Sequence, residues 1–509
     1  MHGSRPFEAV ALQRRLPSSP DRLALYSALS DGGRRRDTFL IERSVGPSLL
    51  MDQAAVRAEC RGQQVVLSAL SAGGREVLGE VARKLGERVI SSDAGRLVLE
   101  FPRAHSPDPE ERLLAPSPLD ALRALAGIGS GSREEPFTIA LMGVSAFDQA
   151  DLFEDLPANA EDPLGFPDYI FWLPETLVVL EPGARPRLVC TAFGPSAEVH
   201  NDAAERLARL VERCEATAAL AEPPAPAPAE ATQVDLDDAA YCAVVARLRE
   251  HIAAGDIYQV VPSRTFRAPC PAPLATYAAQ RKLDPSPYQF FVSGPDHVLF
   301  GASPETSVRV FDAEGVRTVE VKPIAGTRPR GATGDEDDRL EAEMRLDAKE
   351  TAEHMMLVDL ARNDVARVSE RGTRRVAKLM SVERYARVMH LVSSVTGTLL
   401  QGLDALHALQ ACLNVGTLTG APKIRAMELL RGAEVTKRGP YGGAIGWLNG
   451  DGMMDTGVVI RSAVVKDGTA FVRAGAGVVY DSDPQREADE TRRKASALLS
   501  VLAATGDAR

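Results

Sequence analysis

A mixed α/β fold of the α+β type is what this 509-residue sequence predicts, on three observations. Short Val/Leu-rich runs such as "RLVLEF" (96–101) and "TLVVLE" (176–181) have the length and composition of strands. Other stretches carry apolar residues at helical spacing, among them Leu207, Leu210 and Val211 in one and Tyr241, Val244, Val245, Leu248 and Ile252 in another. Strand–turn units then follow in succession: "YQFFV", "HVLFGASPETSVRV" and "VRTVEVKPIAGT". The apolar content of 45% is ample for a large core.

Along the chain, "RGQQVVLSALSAGGREVLGEVARKL" reads as strand, Gly-Gly turn and helix. The Pro/Ala alternation of "AEPPAPAPAEAT" (221–232) excludes a helix or sheet interior and suits an extended spacer. It divides the chain into an N-terminal part, 1–220, and a C-terminal part, 233–509. Beyond it, Asp237 or Asp238 can cap the helix of "DDAAYCAVVARLREHIAAGD", and Gly255 can end it. "IYQVVPSRTF" reads as a strand whose regular part closes at Pro262. "DRLEAEMRLDAKETAEHMMLVDLARND" reads as one long helix, acidic early and basic late, as the helix dipole favours. "MDTGVVIRSAVV", "TAFVRAGAGVVY" and "DPQREADETRRKASALLSVLAAT" read strand, strand, helix.

The formal charge of −11 argues against nucleic acid or an anionic membrane as partner. A small anion remains compatible, because the local field of a cleft decides that. The six cysteines show no zinc or redox spacing and read as buried apolar groups in a reducing compartment. The first twenty residues lack the apolar core of a signal peptide, and no run is long enough to span a bilayer, so a soluble cytoplasmic protein is expected.

Several constellations can carry chemistry. Glu350 and Glu353 lie three apart on one predicted helix face, and Glu487 and Glu490 repeat that spacing on the last helix. Such pairs either hold Mg²⁺ through hard oxygens or are solvated surface charges. "RAGAGVVY" and "YGGAIGW" let backbone approach a ligand, or simply mark tight sheet turns. "GTLTGAPK" precedes an apolar helix and offers hydroxyls as an anion cradle, without the residue order of a nucleotide-binding loop. Arg461, inside the apolar "VVIRSAV", needs a carboxylate partner, internal or bound. His390 in "VMHLVSS" is a core residue or a catalyst, Glu305 in "GASPE" stands at a strand end where it can enter a cleft, and His354 reads as structural. Together these suggest a Mg²⁺-assisted site for a small organic anion.

The segments "FGASPE", "PIAGTRPRG", "AEHMMLVDLARND", "VMHLVSSVTG", "GTLTGAPKIRAMELL", "YGGAIG" and "RAGAGVVYDSDPQREADETRRKA" closely resemble the large subunits (component I) of anthranilate synthases, in the chorismate-utilising enzyme family. The resemblance runs from about Asp237 to the C-terminus; a weaker one, including "TFLIERS" and "SAFDQADLFEDLP", covers the N-terminal part. It implies a large antiparallel-sheet sandwich with surrounding helices, with the N-terminal part, the regulatory region, interleaved with a catalytic domain over 233–509. It implies Glu353 and Glu490 as Mg²⁺ ligands supported by Glu350 and Glu487. Gly326, Thr327, Tyr441, Arg461 and the Gly475–Ala476–Gly477 backbone are then chorismate contacts, Glu305 the general acid for the departing ring hydroxyl, and His390 the residue that helps eliminate pyruvate.

Two positions discriminate within the family. Ala325 stands where aminodeoxychorismate-forming relatives carry an attacking lysine, and Gln259 where water-adding relatives carry a lysine base. Both point to ammonia as nucleophile and anthranilate as product. Aminodeoxyisochorismate synthase is the alternative, which His390 argues against, and a non-catalytic paralogue is a third reading, which the complete residue set argues against. No Cys-His-Glu glutaminase region is present, so a glutaminase (component II) subunit is the implied ammonia source.

The sequence departs from the family at the tryptophan pocket. A "LLES" motif reads Leu40-Ile41-Glu42-Arg43, and a "PSPYM" segment ends Pro287-Tyr288-Gln289. An arginine and a glutamine there disfavour an indole by bulk and by unpaired polar groups, so weak feedback inhibition and a specialised pathway are expected. Ala348, where relatives often have histidine, has no evident reading.

Overall fold

The strand Thr38–Arg43 is buried along its whole length, because both of its faces are covered. Phe39 and Ile41 point into an apolar layer with Met142, Trp172, Phe290 and Trp447. Leu40, one residue out of phase, joins Tyr26, Tyr277 and Phe291 on the other side. This period-2 division repeats through the molecule: paired antiparallel strands, an apolar layer between sheets, and helices outside. Each large apolar side chain buried this way contributes about 1.5–3 kcal/mol. The computed structural model describes residues 7–129, 134–218, 220, 222–223, 225, 232–385 and 388–506.

Two long strands, Ser48–Arg61 and Tyr169–Leu180, form the joint of the sheet system. One limb leaves through Thr38–Arg43, Tyr288–Ser293, Val298–Ser303, Ser462–Lys466, Thr469–Gly475 and Ser263–Pro269. The other runs through Ala140–Ser145, Ala444–Asn449, Met454–Val458, Thr306–Ala313, Val316–Val321 and Val388–Thr398. The large antiparallel-sheet α+β architecture expected from the sequence is what forms. Strands from before and after residues 221–232 pair directly, Thr38–Arg43 with Tyr288–Ser293 and Ala140–Ser145 with Ala444–Asn449. Most of the Pro/Ala stretch itself lies outside the described residues.

Four local expectations are corrected. The long acidic helix breaks at Asp347 into Gly334–Leu346 and Ala348–Ala366; the Asp347 carboxylate accepts the Glu350 N–H at 3.1 Å, which starts the second helix independently. Gly73 and Gly74 are not a turn but the first turn of the helix Ala72–Lys84, capped by Ser71. Glycine is needed there for closeness, since a Cβ on Gly74 would sit 2.0 Å from the Ala55 carbonyl oxygen. Pro262 separates two strands, Gln259–Val260 and Ser263–Pro269, instead of closing one. Arg461 is not inside a strand: it stands between Met454–Val458 and Ser462–Lys466 with φ of 47°. The Asp237 cap is as expected, its carboxylate accepting the Ala240 N–H at 2.8 Å.

Two helices bring carboxylates to the sheet ends. Ala348–Ala366 seats Val358, Ala361 and Val365 in the core and carries Glu350 and Glu353 in its first half. Pro484–Gly506 seats Ala495, Leu498 and Leu502 in another core and carries Glu487 and Glu490 near its start. No helix among the described residues is long and apolar enough to cross a membrane.

Candidate active site

Glu305 stands in the break between Val298–Ser303 and Thr306–Ala313 and is only 6% exposed. Its Oε1 accepts the Thr417 hydroxyl at 2.6 Å. Burial pushes its carboxyl up to about 7, against the opposing pull of Thr417, Lys494 and Arg461. A buried acid half-protonated near neutrality can donate a proton. Glu305 shares its cleft with Leu357, Leu360 and Asp364 of the Ala348–Ala366 helix.

His390 lies on Val388–Thr398, across from Thr327 on Ile324–Pro329. The register shifts between Ala325 and Thr327, and Gly326 takes φ of 67° there. This bulge aims the Gly326 carbonyl at the imidazole, with Nδ1 3.2 Å from it and 3.0 Å from the Thr327 hydroxyl. Nδ1–H therefore donates to the Gly326 oxygen, which leaves Nε2 as the ring's acceptor. Nε2 is buried and has no hydrogen-bond partner among the described residues. Burial lowers the imidazole pKa, and the charge of Arg461 lowers it further, so Nε2 is an unprotonated base at neutral pH. His390 lines a cleft that also holds Asp284, Tyr385 and Arg461.

Arg461 thus bears on both Glu305 and His390. Its Nη1 donates to Asp284 at 3.1 Å, and its side chain stays 33% exposed. The internal partner is the one the fold supplies; the rest of the guanidinium is open to solvent. Tyr441 is buried, its hydroxyl lies against the Gly475 backbone, 3.2 Å from where a Cβ on that glycine would sit, and burial pushes its phenol up to about 12. Gly475, Ala476 and Gly477 continue the Thr469–Gly475 strand. Gln259 lies over Gly477, where a Cβ would come within 3.1 Å of its Nε2.

Of the four helix carboxylates, Glu350 accepts from Arg328 at 3.0 Å, and its Oε2 is the nearest atom to a Cβ built on Gly326, at 3.3 Å. Glu490 pairs with Lys494 at 2.9 Å. Glu353 is half-buried and Glu487 buried. Among the described residues no three His, Cys, Asp or Glu side chains gather as a metal cage. Mg²⁺ ordinarily takes one or two protein carboxylates, completing its shell with water and substrate oxygens. A glutamate from each helix has the right chemistry for that, so the donor set fits.

Sequence reasoning missed Lys494, which donates to the Gly475 carbonyl at 2.9 Å and lowers the Glu305 pKa. Its position four residues after Glu490 was the available signal. Of the two readings of "GTLTGAPK", an anion cradle or glycines at tight turns, the hydrogen bonds favour the second. The Thr417 hydroxyl is committed to Glu305, that of Thr419 to the Asn414 and Val415 carbonyls, and Lys423 to Asp364 at 2.6 Å. The glycines of "YGGAIGW" serve packing: a Cβ on Gly443 would lie 2.1 Å from the Ser145 oxygen. His354 is structural as expected, fully buried and bonded to Ser393 at 2.6 Å.

A second cluster sits at the paired ends of Thr38–Arg43 and Tyr288–Ser293, where Arg43 faces Tyr288 and Gln289 faces Glu42. The Arg43 guanidinium lies 3.4 Å from the centroid of the Tyr288 ring and pairs with Asp455 at 3.1 Å. The Tyr288 hydroxyl donates to the same carboxylate at 2.7 Å. Gln289 donates to the Arg281 and Asp284 carbonyls at 3.1 and 3.3 Å, and Pro287 lines the cleft that holds His390.

A buried acid near neutrality, an imidazole with a free ring nitrogen and a part-exposed guanidinium have the chemistry to receive an anionic small molecule. The family model of chorismate binding enzymes matches residues 82–500, and the chain belongs to that family. It is 45% identical to anthranilate synthase component 1 of Vibrio cholerae, over 96% of each chain. It is 48% identical to the pyocyanine-specific anthranilate synthase component 1 of Pseudomonas aeruginosa, over 95% of this chain and 92% of the other. The solved structure of anthranilate synthase component I from Streptococcus pneumoniae superposes with a TM-score of 0.67 at 30% identity, covering 90% of this chain and 93% of that one.

Proposed function

We propose that this chain converts chorismate and ammonia to anthranilate, pyruvate and water. The observation that carries the reading is the pairing of opposite proton functions under one cation: Glu305 half-protonated near neutrality, His390 unprotonated at Nε2, and Arg461 lowering the pKa of both. Arg461 and the Gly475–Gly477 backbone bind the substrate's carboxylates, with Tyr441 fixing the backbone. Glu305 gives its proton to the departing ring hydroxyl, which leaves as water while ammonia bonds to the ring carbon beside the carboxylate-bearing one. His390 Nε2 then takes the ring proton, and the enolpyruvyl group leaves as pyruvate, restoring aromaticity. Ala325 and Gln259 support ammonia as nucleophile, since neither side chain can attack the ring or deprotonate water. Mg²⁺ held by Glu353 and Glu490 would supply neutralisation of the ring carboxylate. The ammonia comes from glutamine through a glutaminase, component II, subunit.

Arg43 supports weak inhibition by tryptophan. Its guanidinium covers the Tyr288 face and uses Asp455, so an indole entering there would have to displace a buried ion pair. A role in a specialised pathway is in keeping with this and with the pyocyanine-specific relative. The test is the purified chain with chorismate, Mg²⁺ and an ammonium salt, read by anthranilate fluorescence with and without tryptophan. Failure to form anthranilate overturns the reaction; half-inhibition at micromolar tryptophan overturns the regulatory reading.

A further inference from the structure

One helix holds Arg461 at both ends. The helix Pro273–Leu283 is seated in the core by Leu274, Tyr277 and Ala279, and Tyr277 gives its hydroxyl to Glu42 at 2.8 Å. Its last turn is therefore a fixed edge. Gln280 and Asp284 follow four apart along that edge, so they project in the same direction. Gln280 is buried and donates from Nε2 to the Arg461 carbonyl at 2.6 Å. Asp284, the residue that ends the helix, accepts from Arg461 Nη1 at 3.1 Å.

The Arg461 backbone needs such a hold. Its φ of 47° lies in the left-handed region, which a residue with a Cβ keeps only where its surroundings over-determine it. The Ala302 N–H adds a second donor to the same carbonyl, at 3.2 Å. Ala302 belongs to Val298–Ser303, the strand that leads to Glu305. The Arg461 main chain is thus registered against the helix and against the strand of the acid at once. Its side chain has far less confinement. It is part-exposed, it has the freedom of a long chain, and Asp284 is its one hydrogen-bond partner among the described residues.

The contact made by Asp284 is one-cornered. Its Oδ2 takes Nη1, while its Oδ1 accepts the Ser286 hydroxyl at 3.1 Å. The carboxylate is thereby kept from closing over the whole guanidinium. Among the described residues Nε and Nη2 make no hydrogen bond, and together they form the side-on fork that receives both oxygens of a carboxylate.

We propose that Asp284 is a positioning residue: by holding Nη1 alone, it presents the Nε–Nη2 edge of Arg461 to a carboxylate of the substrate. It acts through the arginine and forms no bond to the substrate itself. The inference deepens the reading of Arg461 as a chorismate contact and rests on it.

Dialysis of the full chain against labelled chorismate with Mg²⁺ and without ammonia gives Kd, and turnover with an ammonium salt gives kcat. Asp284→Ala should raise Kd about tenfold or more, the scale of a lost hydrogen bond between charged groups. Melting should hold, because Asp284 is half-buried at a helix end, and kcat at saturation should change less than about threefold. Asp284→Asn keeps an oxygen for Nη1 and should bind within about threefold of the wild type. In an Arg461→Gln background, Asp284→Ala should add nothing. Chorismate binding as tight as the wild type's, or tighter, in Asp284→Ala overturns the proposal, since the carboxylate would then be idle or a competitor for the arginine. A loss in Asp284→Asn equal to that in Asp284→Ala also overturns it, because the charge and not the bond would be acting. So does a loss that persists undiminished beside Arg461→Gln. If Arg461→Gln alone leaves Kd unchanged, the arginine is not a substrate contact and the proposal falls with that reading; the other outcomes leave that reading standing.

Discussion

The two polar clusters on either side of Asp284 are built from similar residues and left in opposite states. Around Arg43, the cation stacks on Tyr288, Asp455 accepts from both, and Gln289 is tied to two carbonyls; Arg43 Nη1 and the Nε of Arg309, a second cation on Asp455, lack a hydrogen-bond partner among the described residues. Around Arg461, the side chain is one-third exposed, His390 Nε2 has no hydrogen-bond partner among the described residues, and Glu305 is held near its protonation midpoint. Buried polar groups are normally satisfied. A cluster that satisfies itself has no need of a ligand, and one that does not is waiting for one. The Arg43 cluster is closed by its own side chains, whereas the Arg461 cluster keeps polar atoms that a bound anion could engage.

The largest way to break it is at the carboxylate helices. Glu353→Ala and Glu490→Ala should each lower anthranilate formation at least about a thousandfold, since a divalent ion contributes several kcal/mol and each 1.36 kcal/mol is tenfold in rate. Parental rates in both would remove the metal from the reading. Next, Glu305→Gln should cost about 10²–10⁴ in kcat, the range of a positioned general acid, while substrate binding, measured by KM, changes little. An equal loss in binding would make Glu305 a substrate contact instead of an acid.

At the filled cluster the effect moves from rate to stability. Arg43→Ala takes the nearer cation from buried Asp455, whose carboxyl burial already pushes up, and leaves it Arg309 at 3.6 Å and the Tyr288 hydroxyl, so the loss should fall below the ~3–5 kcal/mol of a fully stranded charge. Urea unfolding checks this. Activity without tryptophan should hold, and the tryptophan concentration for half-inhibition should fall. Unchanged unfolding would mean that the pair is not what closes the pocket.

Much of this was legible beforehand, and the failures have physical causes. Strand and helix types followed from period-2 and period-3.6 patterning, and the family motifs drew attention to Glu305 and His390, which the fold places beside clefts. The break at Asp347 was hidden because an acidic side chain capping a new helix looks, in sequence, like another residue of the old one. Arg461 read as a strand residue because its apolar neighbours continue on both sides; only a backbone with φ of 47° takes it out of register. The satisfied state of Arg43 depends on Asp455, more than four hundred residues away in sequence (residues 43 and 455), and pairing at that range leaves no local trace. Lys494 was hidden among the other cations of "TRRK".

The smallest expected effect is the sharpest. The Thr417 hydroxyl donates to Glu305 and stabilises its charged form, which lowers the pKa that burial raises. With Glu305 as the proposed acid, activity should be present below its pKa and fall as pH rises through about 7. Thr417→Val removes the stabilisation of the charged form, so the pKa rises and the falling limb moves to higher pH, by about one unit for a hydrogen bond to a charged group. The acid limb, set by His390 below its ordinary 6.5, should not move. Rates must be expressed per free ammonia, whose fraction rises with pH and would otherwise mask the fall. Arg43→Ala serves as the control, since a residue of the filled cluster should leave both limbs where they are. A falling limb that stays put in Thr417→Val would mean that a group other than Glu305 supplies the proton.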